Sequence, residues 1–317
     1  MIKENKRKFL LIRNDNIGDL ICTTPAIEAL RKKYPAAKID IVVNSYNYSA
    51  IYRNPFVDKI YCYTKPKHKK SIKDKIKAGL GKLKILHEIR KEGYDTVIVF
   101  RSGYSKSAEI FSRITNAKYK IGVKNIRGKD DFNIYIPTSA NKHEVEFCFD
   151  CLKPLRVTSH QEKTLYFVPE NYINKYKKFN IDILFHISAR IKNNKLSFSK
   201  LQDILKKINR KVYITASPED IDMARRLEDG KNIFYIKTNS LYDLAGAIKN
   251  SKIFITLEGG AMHISSALGI KTIALFGVSN ISKWHPWGYK ELVLQDISKI
   301  AENINTENII DSIRRQV

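Results

Sequence analysis

Asp19 follows Gly18 directly, just beyond the apolar run Phe9-Leu-Leu-Ile-Arg13 and ahead of Leu20-Ile-Cys-Thr-Thr-Pro25. A carboxylate at the end of a strand can take a proton from a bound hydroxyl, and a neighbouring glycine lets the backbone approach that ligand closely. The same aspartate also suits the N-cap of a helix beginning near Leu20, and the local pattern alone does not choose between the two. A second constellation is Thr256-Leu-Glu-Gly-Gly-Ala-Met-His263. A strand ends at Glu258, Gly259 and Gly260 bare their backbone N–H groups, and a helix starts at once through Ala261 and His263. That arrangement suits a diphosphate. His263 serves equally as a first-turn histidine packed on the strand. A third is Ser188-Ala-Arg-Ile-Lys-Asn-Asn-Lys195, a hydroxyl and several cations directly after another apolar run. Such groups match phosphate oxygens, although the segment also reads as an exposed basic loop.

Two further spacings carry less. Asp220-Ile-Asp222 has a spacing that can hold a metal, but it follows Ser217-Pro218 and reads as acids in the first turn of a helix. Cys148 and Cys151 have no second pair to complete a zinc site and read as two positions on a partly buried helix. No metal ligands are assigned.

These residues need elements to hold them, and the hydrophobic pattern supplies an alternating set. Phe9 to Ile12, Ile39 to Val43, Lys59 to Tyr63, Thr96 to Phe100 and Tyr119 to Val123 read as strands. Thr24 to Lys33, Ile76 to Glu92 and Lys106 to Thr115 read as helices between them, and Lys142 to Leu152 as a helix after them. Alternation of this kind predicts parallel βαβ units in a doubly wound α/β domain, which binds ligands beyond the carboxyl ends of its strands. A polar stretch around 158–163 marks the linker, and a second α/β set follows. Its strands are Ile183 to Ile187, Val212 to Ala216, Ile233 to Ile236, Lys252 to Thr256 and Thr272 to Phe276. Its helices are Ser199 to Ile208, Pro218 to Asp229, Leu241 to Lys249 and Ala261 to Leu268. The division predicted is 1–160, 161–295 and closing helices over 296–317 that pack back toward the N-terminal domain, with small ligands entering a cleft between the two halves.

Composition restricts the partners. The chain has 317 residues, 43% of them hydrophobic, with 17 Tyr and 14 Phe, which argues for packed globular structure. It has no uncharged apolar run of about 18 residues and no signal-peptide core, so a cytoplasmic location is expected. A net charge of +25, from 57 basic against 32 acidic residues, calls for a polyanionic partner. The lysines cluster: Lys65, Lys67, Lys69, Lys70, Lys73, Lys75, Lys77, Lys82 and Lys84 stand against Asp74 alone. Ile72, Ile76, Leu80, Leu83 and Leu86 are interleaved at helical spacing. The result is a basic amphipathic helix, weakened by Gly79 and Gly81, that suits either an anionic lipid surface or simple solvation.

Taken in order, several short pieces resemble glycosyltransferase family 9, the ADP-heptose:lipopolysaccharide heptosyltransferases. They are Ile17-Gly-Asp19 with Thr23-Thr-Pro25-Ala26, then Tyr34-Pro35, Asn54-Pro-Phe-Val-Asp58, Tyr94-Asp95, Phe276-Gly277 and Trp284-His-Pro286. The resemblance runs over nearly the whole chain. It implies a GT-B fold, two Rossmann-like domains facing across a cleft, with the acceptor on the first and a nucleotide sugar on the second. It implies inverting, metal-independent transfer with no cofactor, the donor being ADP-heptose or another nucleotide sugar. Asp19 matches the proposed base, Lys195 the cation serving the donor diphosphate, and Gly259-Gly260 its backbone cradle, with Gly18, Ser188, Glu258, Ala261 and His263 beside the donor. The family usually has Asp where this chain has Glu258, and threonine where it has Ser188. The implied acceptor is an anionic glycolipid, with Lys69, Lys70, Lys73 and Lys77 facing it and the inner-membrane surface. The rival readings are a GT-B transferase using another nucleotide sugar for capsule or O-chain glycans and, on charge alone, a non-enzymatic nucleic-acid binder.

Overall fold

The computed structural model describes residues 7–65, 71–158 and 163–316. Lys67, Lys69 and Lys70 of the basic run lie outside the described residues. The chain divides into two compact units, Met1–Phe167 and Val168–Val317, each built on a six-stranded sheet.

In the first unit the strands are β1 (Lys8–Ile12), β2 (Lys38–Asn44), β3 (Lys59–Tyr63), β4 (Thr96–Val99), β5 (Tyr119–Gly122) and β6 (Ile134–Tyr135). They lie in the order β3-β2-β1-β4-β5-β6, every pairing parallel. Central strands of a parallel sheet are covered on both faces, so they read as unbroken apolar runs. Phe9, Leu10, Leu11 and Ile12 of β1 are all fully buried. Because the chain winds outward from β1 to β3 and returns to β4 on the other side, the order reverses between β1 and β4. Ligands bind α/β sheets in the crevice beyond the strand ends at such a reversal.

Helix α1 (Ile17–Lys33) follows β1 and starts earlier than the predicted Thr24. It contains Pro25, which has no N–H to give the Ile21 carbonyl four residues back. The Thr24 hydroxyl donates to that carbonyl instead at 2.7 Å, and accepts the Leu165 N–H at 2.8 Å. The Thr-Pro pair therefore leaves the helix continuous. Helix α2 (Ile72–Glu92) packs Ile85, Leu86 and Ile89 on the core of this unit and ends at Gly93, whose φ of 71° closes the last turn. Helices α3 (Lys106–Arg113) and α4 (Glu144–Asp150) complete it. Cys148 and Cys151 are fully buried, as free thiols, and burial raises the Cys148 thiol to about 12.

The second unit repeats the plan. Its strands are β7 (Ile181–His186), β8 (Val212–Thr215), β9 (Ile233–Tyr235), β10 (Ser251–Leu257), β11 (Lys271–Phe276) and β12 (Val293–Gln295), in the parallel order β12-β11-β10-β7-β8-β9. Here the reversal falls between β7 and β10. The helices are α5 (Glu170–Tyr176), α6 (Phe198–Ile208), α7 (Ile221–Leu227), α8 (Leu241–Lys249), α9 (Gly260–Ala267), α10 (Ile281–Trp284) and α11 (Thr306–Arg314). Ile309, Ile310 and Ile313 of α11 join the core formed by Leu201, Ile204 and Leu205 of α6. The C-terminal helix is thus a part of this unit.

Candidate active site

At the first reversal the loop after β1 carries Arg13, Asn14 and Asp15, and the first turn of α1 carries Asp19. Arg13 is 1% exposed and meets three carboxylates. Its Nε lies 3.0 Å from Asp15 Oδ1, one Nη donates to Asp19 Oδ1 at 2.8 Å, and the other donates to Glu144 Oε1 at 2.9 Å. A buried cation persists only when paired, and three acids hold this one charged. Their negative charge raises the guanidinium pKa, against the burial that would lower it. Arg101 approaches Asp15 at 3.3 Å from the end of β4, the other strand of the reversal. Burial is the main cause that pushes the Asp15 carboxyl up to about 6, opposed by Arg13 and assisted by repulsion from Asp19.

The loop itself is fixed by side chains from neighbouring strands. Asn44 donates to the Asn14 and Asp15 carbonyls at 2.7 and 3.0 Å, and Asn47 donates to the Arg13 carbonyl at 3.0 Å. Lys65 donates to the Asn14 carbonyl at 2.8 Å. Helix α1 has Asn16 at its N-cap, so Asp19 is the third residue of the helix and does not cap it. The Asp19 side chain is 14% exposed and that of Asp15 12%, whereas Glu144 is fully buried. A partly exposed carboxylate at this place can accept a proton from a bound hydroxyl.

At the second reversal the loops after β7 and β10 come together. Ser188 accepts the Ser217 N–H at 2.9 Å, and a hydroxyl that accepts this bond keeps its own proton for an anion. Lys195 is exposed and lies 3.7 Å from Asp220. Asp220 stands at a helix start, as the sequence predicts, at the N-cap position of α7 without a side-chain cap bond, and also pairs with this lysine. Glu258 is held at both oxygens: Asn194 donates to one at 2.8 Å and Ser279 donates to the other at 2.5 Å. The Val278 N–H donates to Asn194 Oδ1 at 3.1 Å. Glu258 therefore ties the turn 192–194 to the loop after β11. Gly277 allows that approach, since a Cβ there would come 2.2 Å from Asn194 Oδ1. At Gly259, by contrast, a Cβ would meet nothing within 4 Å, so open space lies over the start of α9. His263 is buried in the first turns of α9 and lies edge-on to Trp284, ring centroids 6.3 Å apart.

His186 ends β7 and was not singled out from the sequence. It is buried, its Nδ1 is 3.1 Å from the Thr215 hydroxyl, and burial lowers its pKa to about 4, partly offset by Asp220. A histidine held neutral in the folded state contributes stability above its ordinary pKa of 6.5, and this is lost as pH falls from there through about 4. His186→Gln is therefore expected to gain on the wild type by about 3 kcal/mol in unfolding free energy between pH 7 and pH 4. Urea unfolding at the two pH values measures it; parallel pH dependences would remove His186 from this role.

The structure thus brings Ser188 and Lys195 of one loop to the same end of the sheet as Glu258, Gly259, Gly260 and Ala261 of another. Asp19 and Gly18 stand at the equivalent place in the first unit. Lys73 and Lys77 lie on the exposed side of α2. Arg13, Asp15, Arg101, Glu144, His186 and Asn194 escaped the sequence reading. The signal available for Arg13 and Asp15 was their place in the loop after the first apolar run; nothing local marks Glu144, 131 residues away from Arg13.

Comparison with known proteins agrees with this architecture. Residues 82–312 match the sequence profile of glycosyltransferase family 9 (heptosyltransferase). Over 296 residues the chain is 27% identical to lipopolysaccharide heptosyltransferase 3 of Escherichia coli K12, covering 85% of this chain and 82% of that one. A glycosyl transferase family 9 structure from Veillonella parvula superposes with a TM-score of 0.83 at 20% identity, covering 99% of this chain and 98% of that one. The E. coli heptosyltransferase WaaC, solved with ADP-2-deoxy-2-fluoro heptose, gives 0.79 at 16% identity, covering 98% and 100%. At these identities the two structures speak for the fold, a GT-B architecture of two Rossmann-like units. The profile spans well over half of the sequence, which sets aside the non-enzymatic nucleic-acid reading: this chain belongs to glycosyltransferase family 9, the heptosyltransferases, and is a glycosyltransferase.

Proposed function

We propose that the protein transfers heptose from ADP-heptose to the inner core of a lipopolysaccharide or lipooligosaccharide, inverting the anomeric centre without a metal. The observation that carries this reading is the likeness to lipopolysaccharide heptosyltransferase 3 over 85% of this chain. In the proposed reaction an acceptor hydroxyl oxygen attacks the anomeric carbon while the bond from that carbon to the diphosphate oxygen breaks. Asp19 takes the hydroxyl proton, and the electron pair of the broken bond leaves with ADP. Negative charge then grows on the diphosphate. Lys195, the Ser188 hydroxyl and the N–H groups at Gly260 and Ala261 are the fixed donors for it, in the role a metal plays elsewhere. Glu258, held by Asn194 and Ser279, positions the two loops that carry these donors. Such a core glycolipid is anionic and membrane-bound, which suits a chain of charge +25 acting at the cytoplasmic face of the inner membrane.

Lys195→Ala is expected to lower kcat/KM for the donor by roughly 10- to 100-fold, the range for one charged contact to a diphosphate, with acceptor KM little changed. Activity is expected to persist in excess EDTA. Complete loss in EDTA, restored by Mg²⁺ or Mn²⁺, would make metal ligands of Asp220 and Asp222 and overturn the mechanism. Donor identity is tested by supplying ADP-heptose and a set of UDP-sugars with core glycolipid from cells lacking this protein and following nucleotide release. Release from ADP-heptose alone supports the proposal; release from a UDP-sugar alone would assign the protein to capsule or O-chain synthesis.

A further inference from the structure

Helix α2 presents two faces of different kinds. Ile85, Leu86 and Ile89 lie against the core of the first unit. Ile72, Ile76, Leu80 and Leu83 do not: they are 75, 60, 62 and 62% exposed. At about 100° per residue these four fall within an arc of about 80°, turned well away from the packed face. Four large aliphatic side chains in one line on one helix differ from apolar residues scattered singly over a surface. The charges around the line are ordered as well. Lys73, Lys77 and Lys84 flank it on one side and Lys75 on the other, whereas Asp74 points nearly opposite and Lys82 turns inward, its ammonium over the Tyr63 and Phe111 rings. Lysine stems can lie along an apolar surface while their ammonium groups reach outward to anions.

We infer that the stripe Ile72, Ile76, Leu80 and Leu83 inserts into the headgroup boundary of an anionic bilayer, with the flanking lysines on the lipid phosphates, so that α2 lies in the plane of the membrane. Charge complementarity selects this occupant: a second copy of the chain would bring four like-charged lysines against four. The inference deepens the functional reading above, which has a membrane-bound anionic acceptor. It adds a salt-resistant apolar contribution to what lysines alone would provide, since apolar burial is not screened whereas surface attraction fades within a Debye length.

The test replaces the stripe by glutamine, Ile72→Gln, Ile76→Gln, Leu80→Gln and Leu83→Gln together, which keeps helix propensity and every lysine. Co-sedimentation is measured with phosphatidylcholine vesicles containing phosphatidylglycerol. The variant is expected to lose about tenfold or more in partitioning, with the residual binding abolished by salt that the wild type withstands. Amide exchange over 72–84 is expected to slow in the wild type when vesicles are added. Unchanged partitioning, or exchange indifferent to vesicles, overturns the inference. A wild-type dimer in solution that the variant does not form also overturns it, by giving the stripe to a second copy. Transfer to a delipidated soluble acceptor is measured alongside. Its absence in the wild type would count against the functional reading and leave the vesicle result standing.

Discussion

Asp19→Asn is expected to lower turnover roughly 10²–10⁴-fold while leaving donor affinity nearly unchanged. The substitution separates the two roles that the residue type allows. Asparagine and aspartate are comparable N-caps, and the N-cap position of α1 is Asn16, so the substitution does not change the N-cap residue. The amide oxygen can still accept the Arg13 N–H that now reaches Asp19 Oδ1, and Asp15 and Glu144 still balance the guanidinium. The fold should survive, and what disappears is the proton acceptor. Steady-state rates with saturating donor, beside a thermal unfolding curve, decide it. Near-normal turnover in a folded variant would remove Asp19 from the base role.

Arg13→Met is expected to cost about 3–5 kcal/mol of stability, because removing one partner of a buried ionic cluster leaves the others uncompensated. Asp15, Asp19 and Glu144 would face one another without their common cation. The deficit should depend on pH. Without Arg13 the three carboxyls have raised pKa values in the folded state, and a raised carboxyl gives stability at low pH that is lost as pH rises. The variant should therefore be closest to the wild type below pH 5 and furthest from it at pH 7. Arg13→Lys should recover only part of the loss, since one ammonium cannot reproduce a planar fork meeting three acids. Urea unfolding at both pH values measures this; a loss under 1 kcal/mol at pH 7 would mean that the cluster is more hydrated than its burial implies.

What could be read from the sequence follows from which signals are local. Strands β1, β7, β10 and β11 are covered on both faces and announce themselves as apolar runs; β6 and β12, of two and three residues at sheet edges, carry no such pattern. The start of α1 at Ile17 is masked in the sequence because Asn14, Asp15 and Gly18 look like turn residues and a proline such as Pro25 is uncommon inside a helix. The Thr24 hydroxyl is what allows that proline to sit inside. Asp19 and Gly259-Gly260 were legible because strand end, glycine and helix start are adjacent in the chain. The Arg13–Glu144 pair was not, since it joins two segments that only the fold brings together. Asp220 and Asp222 do stand at a helix start, as the local pattern reads, and the contact of Asp220 with Lys195 is what only the fold supplies.

The most direct test of the account is one reaction, run in excess EDTA with ADP-heptose and core glycolipid from cells lacking this protein, in which released ADP is counted and the anomeric configuration of the product is read by NMR. The account predicts one ADP per heptose transferred, an inverted anomeric centre, and no dependence on added metal. Retention of configuration, or a requirement for divalent metal, would contradict it.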